Sequence, residues 1–305
     1  MTENTVFGDR PSPLREERRR EVRLRRSNLL ASPYERSISY KIATERAELE
    51  AAFQLVWRSY VEVGLQADDG VGIRFTKHHL LPSTKVLIAV HRPELAKESP
   101  DYLKVRDPGE IVGTLTIILD SPMGLPMEEV CAVGVQELRD EGRRPAEVVA
   151  LAVRPEFRKY NVMMYLYKLM FQYIHMKGVT DVTCSVTKRH ISFYRSMLLF
   201  EPMGELRAYS SANGLEVQCH RLDVLEAEKH AQDVYHCRDF DADLYVFFFT
   251  DNKSVGRPLG EGTPWSADRI EYFLSRRPDL RAQLDDPTKR MLRDEYEKAN
   301  AVFPL

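Results

Sequence analysis

The run AEVVALAVRPEFRKYNVMMYLYKLMF, residues 146–171, decides the fold of this 305-residue chain. Residues 147–153 are a near-continuous series of Val, Ala and Leu opened by Glu147. Such a run fits a strand covered on both faces, although apolar content alone fits a buried helix as well. Arg154-Pro155 ends it, since proline donates nothing to a ladder and pushes its predecessor toward extended geometry. Residues 162–177 then read as a helix that is apolar on most sides. Its polar positions, Asn161, Lys168, Gln172 and His175 with Tyr165 among them, form one narrow stripe at helical spacing, and Gly178 supplies the stop. Arg158 and Lys159 fall where the first N–H groups of that helix lack partners, a setting suited to one phosphate. Strand, cationic turn and helix together predict a ligand bearing a single phosphate, bound beside an apolar core.

Upstream, residues 37–44 alternate as a strand does, and Thr44 is placed to cap a helix over 45–63. Leu49, Phe53, Val56, Tyr60 and Val63 share one face of that helix. Arg58 lies among these bulky groups, either as a substrate ligand or as a stem that snorkels or pairs with a carboxylate. Strands follow at 85–91 and 111–120, joined by a polar segment with Pro93, Pro100 and Pro108. Residues 121–130 read as loop and 135–141 as a short helix. Downstream come a strand at 181–186, a short helix carrying Phe193, Tyr194 and Met197, and a strand over 200–209. Asn213-Gly214 marks a hairpin, with 216–224 as the returning strand. This order predicts an α/β (α+β) fold, a mixed twisted sheet with helices on both faces, over residues 36–224. Residues 225–305 are charged and helical by pattern, at 241–249, 265–275 and 289–301, with Ser266 as a cap, and form a C-terminal extension. Residues 1–35 read as an arm. Its stretch 15–26 holds seven arginines and three glutamates, fitting a solvated tail or a dock for an acidic partner.

A net charge of −2 gives no overall reason to expect nucleic acid or membrane as partner. Four cysteines (131, 184, 219 and 237), without close pairing, suit a reducing cytoplasm. No apolar run approaches the roughly 20 residues that span a bilayer. Cys219-His220 and His236-Cys237 are zinc-type residues, but neighbours on a strand point to opposite faces and cannot easily converge. Asp239, Asp241 and Asp243 lack the Gly and closing Glu of a calcium loop. No metal is expected.

Five separated motifs, VWRSYVEVGL (56–65), HHLLPST (78–84), VGTLTIILDSPMGLPMEE (112–129), LRDEGRRPAEVVALAV (138–153) and RHISFYRSMLLFEPMGE (189–205), carry a family resemblance. In content and order they resemble the N-acyl amino acid synthases of the FeeM type. These have the GNAT acyltransferase fold and are distant relatives of LuxI-type acyl-homoserine lactone synthases. The resemblance covers about 40–224. It implies transfer of a long fatty acyl group from acyl carrier protein to the amine of an amino acid. Common GNATs carry R/Q-x-x-G-x-G/A, whose small residues let the backbone wrap the pyrophosphate of coenzyme A. The matching run here is Arg158-Lys159-Tyr160-Asn161-Val162-Met163, with Asn and Met at the small positions. Side chains there crowd a diphosphate and suit the single phosphate of carrier-protein phosphopantetheine, so acyl-CoA is the less favoured donor. No tightly bound cofactor is expected.

Amide formation from a thioester needs a base for the ammonium, stabilisation of the oxyanion and a proton for the leaving thiolate. The resemblance makes Glu147 the base, directly or through a water; a strand-end carboxylate paired with Arg143 or Arg144 is the plainer account. Tyr194 stands where many GNATs carry a tyrosine general acid, and also fits an aromatic packing role. Backbone N–H groups around Leu151 and Val153 are the oxyanion candidates. Arg158, Lys159 and Asn161 are placed for the phosphate, or are solvated turn residues. Arg154 and Arg189 can extend a basic patch toward the carrier protein. Met163 and Met164 either wall an acyl tunnel or belong to plain core. Two other readings stay open: synthesis of an acyl-homoserine lactone or other acyl-amine signal, and a GNAT-shaped module that binds carrier protein or lipid without turnover.

Overall fold

The computed structural model describes residues 37–92, 109–236, 243–250, 265–303 and 305. The arm at 1–35, the Pro93/Pro100/Pro108 connection, and Cys237, Asp239 and Asp241 lie outside the described residues.

One mixed sheet organises the chain. Strands β1 (Ile38–Ile42), β2 (Lys85–His91), β3 (Glu110–Leu119) and β4 (Pro145–Val153) run antiparallel in sequence order. β5 (Asp181–Thr187) lies parallel to β4, and β8 (Glu216–Asp223) pairs antiparallel with β5. Two-residue strands β6 (Glu201–Pro202) and β7 (Arg207–Ala208) both pair with β8. The continuous strand expected over 200–209 is thus broken, as Pro202 and Gly204 would break it.

Both faces are covered, which explains the unbroken apolar runs. On β2, Leu87 and Ala89 join one core, while Val86, Ile88 and Val90 join the other. The first core is built on α3 (Val162–Met176), the helix predicted after the cationic turn. Its polar stripe is not solvated throughout: Lys168 is buried, its Nζ 4.8 Å from the Phe247 ring centroid. Phe247 belongs to a π-helical turn, Val246–Thr250, where an ordinary helix was expected. α3 packs so closely on β3 that a Cβ at Gly113 would lie 2.6 Å from Val162 Cγ1.

The second core lies under α1 (Arg46–Glu62). Glu45, rather than Thr44, is its N-cap, because Glu48 reaches back to accept from the Thr44 and Glu45 amides at 3.1 and 3.2 Å. α2 (Glu128–Asp140) begins seven residues before the expected 135, bends at Cys131 and places Glu128 and Glu129 in its first turn, where the helix dipole favours acids. α4 (Lys188–Met197) and α5 (Val224–Tyr235) complete the β5–β8 side. The terminal helices α6 (Ala267–Arg276), α7 (Pro278–Ala282) and α8 (Asp286–Lys298) supply Phe273, Leu280, Leu292 and Tyr296 to the second core. Tyr296 Oη donates to Leu80 O at 3.0 Å. Among the described residues, no helix is long and apolar enough to cross a membrane.

Candidate active site

β4 and β5 separate at a defined point. Their pairing covers Pro145 to Glu147 against Asp181 to Thr183 and then stops. The closed end is locked by Asp181, whose fully buried carboxylate takes hydrogen bonds from Arg143 at 2.7 and 3.0 Å and from Arg221 at 2.6 Å. Beyond Glu147, β4 bulges: its register with β3 shifts between Thr114 and Thr116. Ala150 there adopts φ 54°, the left-handed region that a non-glycine residue enters at a cost of about 1–3 kcal/mol. The bulge turns the remaining β4 backbone into the gap that β5 has left.

That gap opens into a cavity of about 1100 Å³. It exceeds the roughly 1,000 Å³ upper end of common ligand pockets and has room for a large substrate. Glu147 sits at its apex, 1% exposed, with Oε2 accepting from the Met127 amide at 2.8 Å. The plainer account of this residue does not hold. Arg143 is bound to Asp181 and Asp223, and Arg144 lies against Gly178. Burial pushes the Glu147 carboxyl up to about 8, only partly offset by the Met127 amide, with Glu128 and Cys131 adding to the rise.

Tyr194 reaches the cavity from α4, and its Oη accepts from Tyr167 Oη at 2.8 Å. Tyr167 is fully buried. With Tyr167 spending its proton on Tyr194, the Tyr194 proton is left to point elsewhere. Burial raises the Tyr194 phenol above its ordinary value and keeps it protonated.

Of the other predicted residues, Leu151, Val153, Arg158 and Met163 line the cavity. Arg158 is exposed at its lip, with Nε donating to Val153 O at 3.3 Å. Lys159 is exposed beside it, over the Tyr160 ring. Asn161 adopts φ 57° between the short helical turn Pro155–Tyr160 and α3, a conformation asparagine tolerates well. Met164 is buried in the core instead of lining the cavity. Arg58 is exposed on a separate groove shared with Glu62, Glu110 and Arg154. Arg154 is paired with Glu110 and Glu156, whereas Arg189 is exposed at the cavity.

The structure adds residues that sequence reasoning left in loops or assigned to core. Tyr60, Arg74, His78 and Tyr209 line the cavity together with Arg158 and Arg189. Tyr60 packs against Ala150, which places its ring at the bulge. Burial drops His78 to about 4, so it is neutral. Tyr209 Oη donates to Pro126 O at 3.0 Å. Alternation of Ile73 and Phe75, both fully buried, is the one sequence signal that would have turned Arg74 away from the core. Among the described residues, no cluster of three or more His, Cys, Asp or Glu is arranged to hold a metal ion.

A sheet splayed after Glu147, with helices on both faces and a buried acid at the apex, is the architecture of a GNAT-fold acyltransferase. Residues 51–223, more than half of the chain, match the N-acyl amino acid synthase FeeM family, and the chain belongs to that family. Among solved structures it is similar to FeeM, an N-acyl amino acid synthase from uncultured soil microbes. The two share 23% identity and a TM-score of 0.51, over 63% of this chain and 93% of that one. It is also similar to BjaI, a CoA-dependent acyl-homoserine lactone synthase, at 14% identity and TM-score 0.45 over 77% and 97%. A putative N-acetyltransferase from Lactobacillus plantarum matches at 14% and 0.40, over 62% and 99%. No curated protein matches the chain.

Proposed function

We propose that the chain transfers a long-chain fatty acyl group from the phosphopantetheine thioester of acyl carrier protein to the amine of an amino acid. The single observation that carries this reading is the Glu147 carboxyl, buried in a large cavity where desolvation pushes its pKa up to about 8. A base poised near neutrality is what deprotonating an ammonium requires.

In the proposed reaction the Glu147 carboxylate takes a proton from the acceptor ammonium, directly or through a water. The freed amine attacks the thioester carbon, forming the C–N bond. The oxyanion is stabilised by backbone N–H groups of β4 around Leu151 and Val153, on the side that β5 leaves open. Collapse breaks the C–S bond, the departing thiolate takes the Tyr194 proton, and the nitrogen gives up its second proton to the Tyr194 oxygen, directly or through a water, which leaves a neutral amide, a free thiol and a protonated tyrosine. Met163 and the apolar cavity wall accommodate the acyl chain, worth roughly 0.8 kcal/mol per buried CH₂. Exposed Arg158, Lys159 and Arg189 offer cations at the lip for the phosphate and for an acidic carrier protein.

Purified protein is offered palmitoyl groups on carrier protein or on CoA, with mixed amino acids. An N-acyl amino acid made at least tenfold faster from the carrier-protein donor is expected; equal or faster use of CoA refutes the donor assignment.

A further inference from the structure

The cavity has two cationic regions, and only one of them is explained by the donor. Arg158 and Arg189 stand beside α3 and α4. Arg74 lines the cavity from the segment after α1, half-buried, with its guanidinium 4.8 Å above the Tyr60 ring centroid. Its Nη1 donates to Gln66 Oε1 at 2.9 Å and its Nη2 to Ser211 O at 3.0 Å. Both partners are neutral, and the guanidinium fork keeps further N–H donors beyond these two.

Several other charges of the cavity are already matched. Arg277 is held bidentate by Asp279 at 2.6 and 2.9 Å. Glu128 is bound to Arg139 and to the Leu125 amide. Glu129 accepts from Ser210 N at 2.8 Å and Ser211 Oγ at 2.7 Å, and forms no ion pair with Arg74. Lys77 and the neutral His78 line the same cavity and add no carboxylate. Arg74 is therefore an oriented cation, in contact with the wall of the site, without a carboxylate of its own.

Its position relative to the chemistry follows from the two tyrosines. Tyr209 donates to Pro126 O, next to the Met127 amide that binds Glu147, and Tyr60, under the Arg74 guanidinium, packs against Ala150 just past Glu147, so Arg74 and Glu147 face the same cavity with these rings beside them. An acceptor whose amine approaches Glu147 directs its other charged end toward Arg74.

Resting on the N-acyl amino acid synthase reading, we infer that Arg74 binds the α-carboxylate of the acceptor, so the enzyme selects free α-amino acids over amines whose carboxyl is masked or missing. Tyr60 holds the guanidinium in place from below, and Gln66 and Ser211 fix its rotation. A carboxylate meeting the remaining N–H donors forms a charge-assisted pair of the kind arginine geometry suits.

The test supplies acyl carrier protein carrying a palmitoyl group and equimolar mixtures of amino acids with their α-carboxamides, and quantifies N-acyl products by mass spectrometry. Wild type is expected to prefer each acid over its amide by about 10- to 100-fold, the range of a charge-assisted hydrogen bond. Arg74→Gln should collapse that ratio toward unity and raise the acceptor KM, with the donor KM unchanged; Arg74→Lys should restore part of the preference. If Arg74 only latches the 211 region to the 66 region, acid and amide fall together and the ratio stays, which overturns the inference. A wild-type ratio near unity overturns it without any variant. Both results leave N-acylation itself standing, whereas absence of any N-acyl product from wild type overturns the functional reading and this inference with it.

Discussion

Replacing Glu147 by Gln keeps shape and keeps an oxygen to accept from the Met127 amide, but removes the ability to take a proton. Positioned bases contribute roughly 10²–10⁴-fold, so kcat should fall by at least about 100-fold. The wild-type pH profile carries the same signature. With a pKa of about 8, the ionised fraction of Glu147 rises about tenfold between pH 7 and pH 9, and kcat at saturating substrates should rise with it. The variant should lose that limb. Stability moves the other way. A carboxyl whose folded pKa is raised above its unfolded value stabilises the fold fully below the unfolded pKa. That contribution is lost as pH climbs toward 8. The Gln variant escapes this loss, so at pH 8–9 it should melt at or above the wild-type temperature. Low activity with intact stability then excludes unfolding as the cause. Steady-state kinetics from pH 6 to 9.5, paired with thermal melts, read both effects. A Gln variant with activity within about threefold of wild type would remove Glu147 from proton transfer.

Three further perturbations probe the acid, the sheet and its closed end. Tyr194→Phe should slow thiol release in single turnovers by roughly 100-fold while acceptor selectivity is unchanged; an unaltered rate assigns the ring to packing. Gly113→Ala drives a Cβ to 2.6 Å from Val162 Cγ1 and should destabilise by about 1–3 kcal/mol, read as a lower urea midpoint; an unshifted midpoint refutes the close α3–β3 contact. Asp181→Asn leaves Arg143 and Arg221 sharing Asp223 as their one remaining carboxylate here and should cost about 1.5–3 kcal/mol at pH 7. Burial alone raises the Asp181 pKa, but hydrogen bonds from Arg143, Thr180 and Arg221 hold it below the usual value. Its stabilisation is thus present above the unfolded carboxylate pKa and lost as pH falls through the folded one. The wild-type advantage in melting temperature should shrink as pH is lowered below the unfolded carboxylate range, and one that does not shrink would contradict this.

The central unit was readable because its signals agree: an apolar run, a proline that ends it and a helix-period pattern stopped by glycine. The bulge was not, since Ala150 carries a Cβ and nothing in an alanine announces φ 54°. Gly124 and Pro126 suggested loop up to residue 130, yet they end before α2, and the acidic pair belongs to its first turn. Lys168 read only as one member of a polar stripe, and its burial was not legible because the segment that covers it, with Phe247, is distant in sequence. Glu147 was legible from the strand it opens and from the motif around it. Its raised pKa depends on burial under Met127, a contact 20 residues away. Arg74 gave only alternation with Ile73 and Phe75, which locates a face and names no ligand.

The most direct test of the whole account supplies wild-type protein with ¹³C-palmitoyl acyl carrier protein and a ¹⁵N-labelled amino-acid mixture, and follows the products by mass spectrometry. The account predicts an N-acyl amino acid bearing both labels, with one free carrier-protein thiol per amide formed. Release of labelled palmitate without amide, or an intact thioester after prolonged incubation, would contradict it.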